Sequence, residues 1–349
     1  MDRNREIKKI HHGGDIYGRE ILYDLSVNMN PAGPPDIIEE ALKNAECRIG
    51  QYPEYENVTL RKMIGRCFGL GVENIICGNG ASELISALGR LFSGKRLLLP
   101  VPSFVGYERA FSESEIIYLE TDEAEGYIVN DSVAEMLDKT HPDALIITNP
   151  NNPAGRLTGK ETLIRLLKEA KRQSCFVIAD ESFIELSENG EKNSLIDIIY
   201  DYDNLIIIRS VTKSFAAAGV RLGYMLSENK SIIAHVKSLL PEWNISVFSE
   251  EVGKAIFTWE GREEYLKHSR AYIKEKRMIL ENAFKEKRIE YITSDSNFVA
   301  FRHDTDLYAR MLDKKIMIRE CSDYRGMGTG WYRVAVTADS ASIVFLHLL

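Results

Sequence analysis

RSVTKSFAAAGVRLGY, residues 209–224, follows directly on the apolar run LIIIRS at 205–210 and sets a lysine three residues after a serine and eight before an arginine. The run reads as a buried strand, so Lys213 stands where a sheet delivers side chains to its edge. A lysine kept from water there loses its preference for the charged form and becomes nucleophilic, able to join an aldehyde cofactor through an imine. Ser210 and Arg221, on either side of it, can hold a phosphate. Taken alone, Lys213 reads as a solvated loop lysine, and the neighbouring segments reverse that reading.

Upstream, CFVIADESF at 175–183 ends a second buried strand on Asp180, a carboxylate that is costly in that place without a cation. A protonated pyridine nitrogen supplies one and keeps its ring an electron sink; a helix N-cap is the other reading of Asp180. NPNNPAG at 149–155 follows the strand-like ALIIT at 144–148 and is a rigid turn by its proline, glycine and asparagine content. From it, Asn152 can donate an amide hydrogen to a phenolate oxygen, or can serve the turn alone. GNGASE at 78–83 links the strand-like IIC at 75–77 to a helix, so the free N–H groups of Gly80, Ala81 and Ser82 can grip a phosphate. Any tight strand-to-helix turn leaves the same trace. Phe104, in PVPSFVGY just after LLLP at 97–100, can stack on a flat ring or pack in an ordinary core.

The five short apolar runs at 75–77, 97–100, 144–148, 175–180 and 205–210 alternate with amphipathic segments such as 82–92 and 159–172, the latter with Leu163, Leu166, Leu167 and Ala170 on one face. This alternation predicts an α/β fold with a mostly parallel sheet covered by helices on both faces, and an active site at the strand C-terminal ends. After Trp243 the pattern becomes helical over roughly 249–287, a stretch expected to bridge two domains. Strand candidates at 297–301, 316–319 and 331–336 and a helix candidate at 304–313 make a smaller α+β unit, with which the first 44 residues are expected to pack. The expected division is therefore 45–249 for a large cofactor-holding domain, and 1–44 with 250–349 for a small domain contributing to the substrate pocket.

At 349 residues the chain is long enough for two domains, and 44% hydrophobic with 28% charged residues is the balance of a soluble globular protein. A net charge of -8 with interleaved signs lacks the footprint of a nucleic-acid binder, so an anionic substrate needs a local arginine cluster. Five cysteines, without C-x-x-C spacing, read as reduced cytoplasmic thiols, and no metal site is read from the sequence. MDRNREIKKI at the start has no apolar core, and no apolar run of about 18 residues occurs, so export and membrane anchoring are not expected.

These elements in this order, G-x-G-x-S-E, N-P-N-N-P-x-G, D-E-x-F and S-x-x-K with R-x-G-Y, resemble the class I/II aminotransferase family of fold-type I pyridoxal-phosphate enzymes. The resemblance runs from HHGGDIY at 11–17 to WYRVAV at 331–336, and implies the aspartate-aminotransferase-like fold with pyridoxal 5'-phosphate as cofactor. Longer strings, HGGDIY (12–17), DLSVNMNPAGPP (24–35), QYPEYE (51–56) and IMIRECSDYRGMGTGWYRVAV (316–336), resemble most the threonine-phosphate decarboxylase branch, which belongs to cobalamin biosynthesis. The histidinol-phosphate aminotransferase branch is next.

Carried over residue by residue, the resemblance implies Lys213 as Schiff base, Asp180 on the pyridine nitrogen and Asn152 on the phenolate. It places Ser210, Arg221, Gly80, Ala81 and Ser82 around the cofactor phosphate. Tyr52 looks like the family tyrosine that reaches the cofactor phosphate of a neighbouring subunit, implying a homodimer with shared active sites. Arg333 matches the arginine that grips the substrate carboxylate, Arg319 and Arg325 are candidates for the substrate phosphate, and His12, Asn30 and Gly33 match motif positions expected to line the pocket. For His12 a structural role in the Gly-Gly turn is the alternative, and for Arg325 a surface salt bridge. Phe183 stands where the aminotransferases carry tyrosine, so a hydroxyl that would contact the phenolate is missing and the imine is expected to titrate higher; the decarboxylase branch accommodates phenylalanine there.

Overall fold

A computed structural model of the chain describes residues 13–349. Its largest element is a seven-stranded sheet in the spatial order Ile75–Asn79, Leu222–Leu226, Leu205–Ser210, Phe176–Asp180, Ala144–Thr148, Arg96–Val101 and Glu115–Glu120. Leu222–Leu226 runs antiparallel to both its neighbours, and the other adjacent pairs are parallel. The mostly parallel α/β sheet expected from the sequence is present, and each of the five apolar runs forms one of its strands. Two strands escape the sequence reading for physical reasons. Glu115–Glu120 is a half-buried edge with a charge at each end, and Leu222–Leu226 carries a glycine because a Cβ on Gly223 would stand 2.4 Å from the Ala81 nitrogen.

The pleat puts successive side chains on opposite faces. Ile75, Leu145, Ile147, Val177 and Ile207 accordingly share one core with the helices Val58–Phe68, Lys160–Arg172 and Val247–Thr258, while Ile76, Ile146, Ile178 and Ile206 share a second with Ala81–Leu91 and Lys230–Leu239. Because both faces are covered, the strands read as unbroken apolar runs. Each such side chain, fully buried, contributes about 1.5–3 kcal/mol.

A second, antiparallel sheet follows the order Arg319–Glu320, Trp331–Ala335, Phe298–Arg302 and Tyr291–Ile292. Tyr23–Asp24 pairs in parallel with Ile316–Met317, and Leu25 joins Val299, Phe301, Val334 and Phe345 in a separate core. The helical region expected over roughly 249–287 is present as two helices, Val247–Thr258 and Arg262–Glu286. The chain leaves helical geometry at Trp259 (ψ 120°) and turns at Gly261, where a Cβ would stand 2.7 Å from the Trp259 indole. Within Arg262–Glu286, Leu266 packs in the core of the large sheet and Leu280 and Phe284 in that of the small one, so this helix does the bridging. Among the described residues no helix is long and apolar enough to cross a membrane. The five cysteines are unpaired thiols, with Cys77, Cys175 and Cys321 buried.

Candidate active site

The parallel strands end together, and the segments leaving their C-terminal ends converge. Thr148 and Asn152, then Asp180, Ser182 and Phe183, then Ser210, Thr212 and Lys213 line a cleft of about 270 Å³. Ala81 and Ser82, at the start of the helix Ala81–Leu91, and Phe104 complete its floor, while Ser26, Asn28, Arg319, Tyr324 and Arg333 close it from the smaller unit. In a chain of net charge -8, three arginines (Arg221, Arg319, Arg333) thus line one hollow, the local cluster that an anionic ligand requires.

Lys213 sits on the single turn Val211–Ser214 that ends the Leu205–Ser210 strand. Its side chain is half-buried, with Nζ 4.0 Å from the Met29 Sδ. Burial first, then the charges of Arg333 and Arg221, pull its pKa down to about 8. A fraction of the amine is therefore uncharged near neutral pH, as a nucleophile requires.

Asp180 is 5% exposed. Its Oδ2 accepts from the Tyr107 hydroxyl at 2.6 Å and its Oδ1 from the Ser182 N–H at 2.9 Å. Burial raises its pKa, these two donors offset only part of the rise, and among the described residues no cation lies near enough to lower it. The helix-cap reading does not hold, because the next helical segment is only a 3₁₀ turn, Ile184–Leu186, and Phe183 stands at its start. The NPNNPAG turn likewise leaves Asn152 free for the cleft. Asn149 binds the Thr158 N–H at 2.7 Å through its Oδ1, and Asn151 takes the Ala154 N–H at 3.0 Å and gives its amide to the Pro102 carbonyl at 2.9 Å. Those two asparagines hold the turn, while the Asn152 Oδ1 accepts from Arg333.

The phosphate-cup candidates are contiguous. Arg221 adopts a left-handed backbone (φ 60°) that turns its side chain toward Ser82, whose Oγ accepts from Nη2 at 3.1 Å; Ser210 Oγ and Thr212 Oγ1 are 2.6 Å apart beside them. Gly80, at φ 76°, makes the approach possible, since a Cβ there would stand 2.5 Å from the Arg221 Nη2. Gly80→Ala is therefore expected to displace Arg221 from Ser82 and to destabilise the protein by about 1 kcal/mol, mainly through the left-handed backbone, as read by a denaturant titration.

Arg333 is 5% exposed and, among the described residues, has only neutral partners. Its Nη1 donates to Asn152 Oδ1 and to the Tyr324 hydroxyl at 3.3 Å, its Nη2 to the Ser26 carbonyl at 2.9 Å, and its Nε has none. A buried guanidinium so placed is built for an anion. Arg319, by contrast, already holds Asp323, with Nη2 at 2.8 Å from both carboxylate oxygens, and lies over the Tyr324 ring.

Several expected positions lie elsewhere. Arg325 is outside the cleft, stacked on Tyr118 with its centroid distance at 3.9 Å and paired with Glu108, so its surface-salt-bridge reading is the one the structure supports. Asn30 is buried, with its amide turned inward to the Ser214 carbonyl, Tyr265 and Ser269, and Gly33 occupies a left-handed turn whose carbonyl accepts from the Tyr265 hydroxyl. Neither lines the cleft. Tyr52 is 76% exposed and lies against Trp243, away from this cleft. His12 lies outside the described residues.

Two residues that line the cleft, Asn28 and Tyr324, and one behind it, Tyr107, escape the sequence reading. Asn28, with a buried Oδ1 that has no partner among the described residues, lies in the same DLSVNMN string as Asn30; alternation along an extended segment puts both on one face without choosing between them. Tyr324 is part of the ECSDY stretch, and Tyr107 part of PVPSFVGY, but hydroxyls aimed at Arg333 and Asp180 leave no pattern in the chain.

Comparison with known proteins agrees with this geometry. The family model "Aminotransferase class I and II" matches residues 20–343. A provisionally named threonine-phosphate decarboxylase of Caldanaerobacter subterraneus subsp. tengcongensis is 35% identical, over 100% of this chain and 95% of its own. The threonine-phosphate decarboxylase of Salmonella typhimurium is 27% identical over 93% of this chain and 92% of its own. The crystal structure of the histidinol-phosphate aminotransferase from Clostridium acetobutylicum superposes with a TM-score of 0.85 at 31% identity, covering 94% of this chain and 98% of that one. With a match across nearly the whole chain and the cleft assembled at the ends of its parallel strands, the protein belongs to the class I and II aminotransferase family.

Proposed function

We propose that this chain is a pyridoxal-phosphate enzyme that decarboxylates a phosphorylated amino acid, O-phospho-threonine or a close relative. The observation that carries the reading is Asp180: a buried carboxylate with no cation beside it among the described residues, in a cleft whose other charges, on Lys213, Arg221, Arg319 and Arg333, are positive. A pyridinium nitrogen fits that vacancy in the charge balance. When bound, pyridoxal phosphate supplies an aldehyde that joins amines and a ring that takes up the electron pair left at the substrate α-carbon. Ser82, Ser210, Arg221 and the N–H groups of Ala81 and Ser82 would hold its phosphate. Asp180 would hold the ring nitrogen, Asn152 the phenolate oxygen, Phe104 a ring face and Lys213 the aldehyde. Phe183, packed on Phe298 with centroids 5.2 Å apart, offers the phenolate no hydroxyl.

Arg333, with its unpaired Nε, would take the substrate carboxylate, and Arg319 the substrate phosphate. The Lys213 amine, with its pKa near 8, can return a proton to the α-carbon at neutral pH. Which bond at that carbon breaks depends on how Arg333 orients the carboxylate. The same reading, which began from 45–249 and from 1–44 with 250–349, moves the helices Asp36–Glu46 and Val247–Thr258, whose Ile38, Ala41, Val252 and Ile256 pack in the core of the large sheet, to the cofactor-holding part, and leaves 1–35 with the rest of 250–349 to the substrate. It makes the protein a cytoplasmic homodimer in which Tyr52, exposed beside the exposed Trp243, reaches across to the partner's cofactor phosphate.

Two relatives named as threonine-phosphate decarboxylases, similar over at least 93% of the chain, support decarboxylation. Amine transfer from glutamate to a phosphorylated keto compound is the second reading, favoured by the likeness to the histidinol-phosphate aminotransferase structure. Incubation with O-phospho-threonine separates them: release of carbon dioxide with aminopropanol phosphate is expected. No carbon dioxide, together with brisk glutamate-dependent turnover of the histidinol-phosphate pair, would overturn the first reading in favour of the second.

A further inference from the structure

The segment 25–30 touches both chemical ends of the cleft. The Leu25 carbonyl accepts the Ala335 N–H at 2.8 Å and the Leu25 N–H reaches the Met317 carbonyl at 2.8 Å, which anchors the segment in the smaller sheet. One residue on, the Ser26 carbonyl takes Arg333 Nη2 at 2.9 Å. At its far end the Asn30 N–H donates to the Lys213 carbonyl at 3.2 Å, and the Asn30 Nδ2 donates to the Ser214 carbonyl at 2.8 Å. Met29, between them, lies against the Lys213 amine, and its own carbonyl is held by Asn297 Nδ2 at 3.0 Å.

We propose that 25–30 is a strap that fixes the position of the Lys213 amine relative to Arg333, and that Asn30 is its positioning residue. The inference rests on the roles proposed for Lys213 and Arg333. A single turn, Val211–Ser214, has too few internal hydrogen bonds to hold its own lysine rigidly. Asn30 supplies two from outside, one from its backbone and one from its side chain, and is itself buried at 2% exposure. Tyr265 and Ser269, on the bridging helix Arg262–Glu286, offer their hydroxyl oxygens to the same Asn30 Nδ2 at 3.0 and 2.9 Å, and its Oδ1 accepts the Ala32 N–H at 3.0 Å. The lysine turn, the strap and the bridging helix therefore meet on one side chain that contacts neither the cleft nor its ligands.

The groups that face the amine are Arg333 on the second sheet, Arg221 after the lysine turn, and Asp180, Arg319 and Tyr324 around the same cleft. Asn30→Ala changes none of these groups and removes the side-chain clamp on Ser214 together with the contacts to Tyr265, Ser269 and the Ala32 N–H, while the backbone bond to Lys213 is kept. Competitive labelling of Lys213 with an amine-directed reagent across a pH series, on cofactor-free protein, reads the amine without any turnover. Wild type is expected to titrate near 8, and Asn30→Ala higher by about one pH unit, as the loosened turn lets the ammonium reach water. In the loaded enzyme the same variant is expected to lower kcat about tenfold or more while changing KM less than about threefold. Ser269→Ala, which leaves the bond to Ser214 intact, controls for mere loss of stability and is expected to keep the wild-type titration.

An unchanged Lys213 titration in Asn30→Ala, or an equal shift in Ser269→Ala, overturns the strap. Absence of carbon dioxide release by wild type would count against the proposed reaction alone, since the labelling experiment needs no substrate.

Discussion

Lys213→Met is expected to reduce turnover of O-phospho-threonine by about 10³-fold or more, because one substitution removes both the amine that joins the cofactor and the group that moves the proton, each a large effect on its own. The same variant is expected to make the cofactor-free protein more stable. An unfolded lysine titrates near 10.5, whereas Lys213 in the folded cleft is pulled down to about 8. Between those values the unfolded chain binds the extra proton, so wild-type stability rises with pH across the window, and below about 8 the folded state carries the full cost of a buried ammonium. Since the side chain keeps some contact with water, the gain at pH 7 is on the order of 1–3 kcal/mol, shrinking as pH climbs toward 10. Thermal melts of the two cofactor-free proteins at pH 7 and pH 9.5 measure it. A less stable Lys213→Met at pH 7 would mean that the lysine is a packing element, and borohydride-fixable label at another lysine would remove it from the site altogether.

Contacts that are local or periodic made part of the molecule legible in the sequence. The five central strands announce themselves because a sheet buried on both faces leaves an unbroken apolar run, and Asp180, Asn152, Ser210 and Lys213 are legible because each sits within a few residues of such a run's C-terminal end. The antiparallel Leu222–Leu226 was hidden because its Gly223 answers to the Ala81 backbone across the sheet, a demand no local pattern records. Arg325 and Arg319 are six residues apart and chemically alike; only the fold puts one under Tyr324 in the cleft and the other on Tyr118 at the surface. Asn30 shows the same limit from the other side. Its residue type suits a pocket, yet the lysine turn, the bridging helix and the nearby Ala32 N–H consume its amide.

Asp180→Asn is expected to be as damaging to turnover as it is harmless to the fold. The carboxylate and the positive ring nitrogen it would face are both withdrawn from water, and removing one member of such a buried pair costs about 3–5 kcal/mol, or about 10²–10⁴ in rate where the charge matters most. Without the cofactor the balance reverses. Burial raises the Asp180 pKa above its ordinary 3.8, so the unfolded chain gives up its proton first as pH increases, and the folded state loses stability across that window and does not recover it at higher pH. The asparagine, unable to ionise, keeps its one carbonyl oxygen for the Ser182 N–H, while its amide can donate to the Tyr107 oxygen, whose hydroxyl turns to Thr148. Cofactor-free Asp180→Asn should therefore melt above wild type at pH 7, with the difference vanishing below about pH 4. Tyr107→Phe, which deletes the neutral hydrogen bond and leaves the charge, should retain turnover within about tenfold. If Tyr107→Phe and Asp180→Asn were instead equally inactive, the carboxylate would be serving the tyrosine, and the charge-balance argument for a pyridinium would fail. Lys213 and Asp180 thus stand together as two groups that weaken the empty protein, each made favourable by a ligand that joins one and charges the other, which is how binding at this cleft would also stabilise the whole chain.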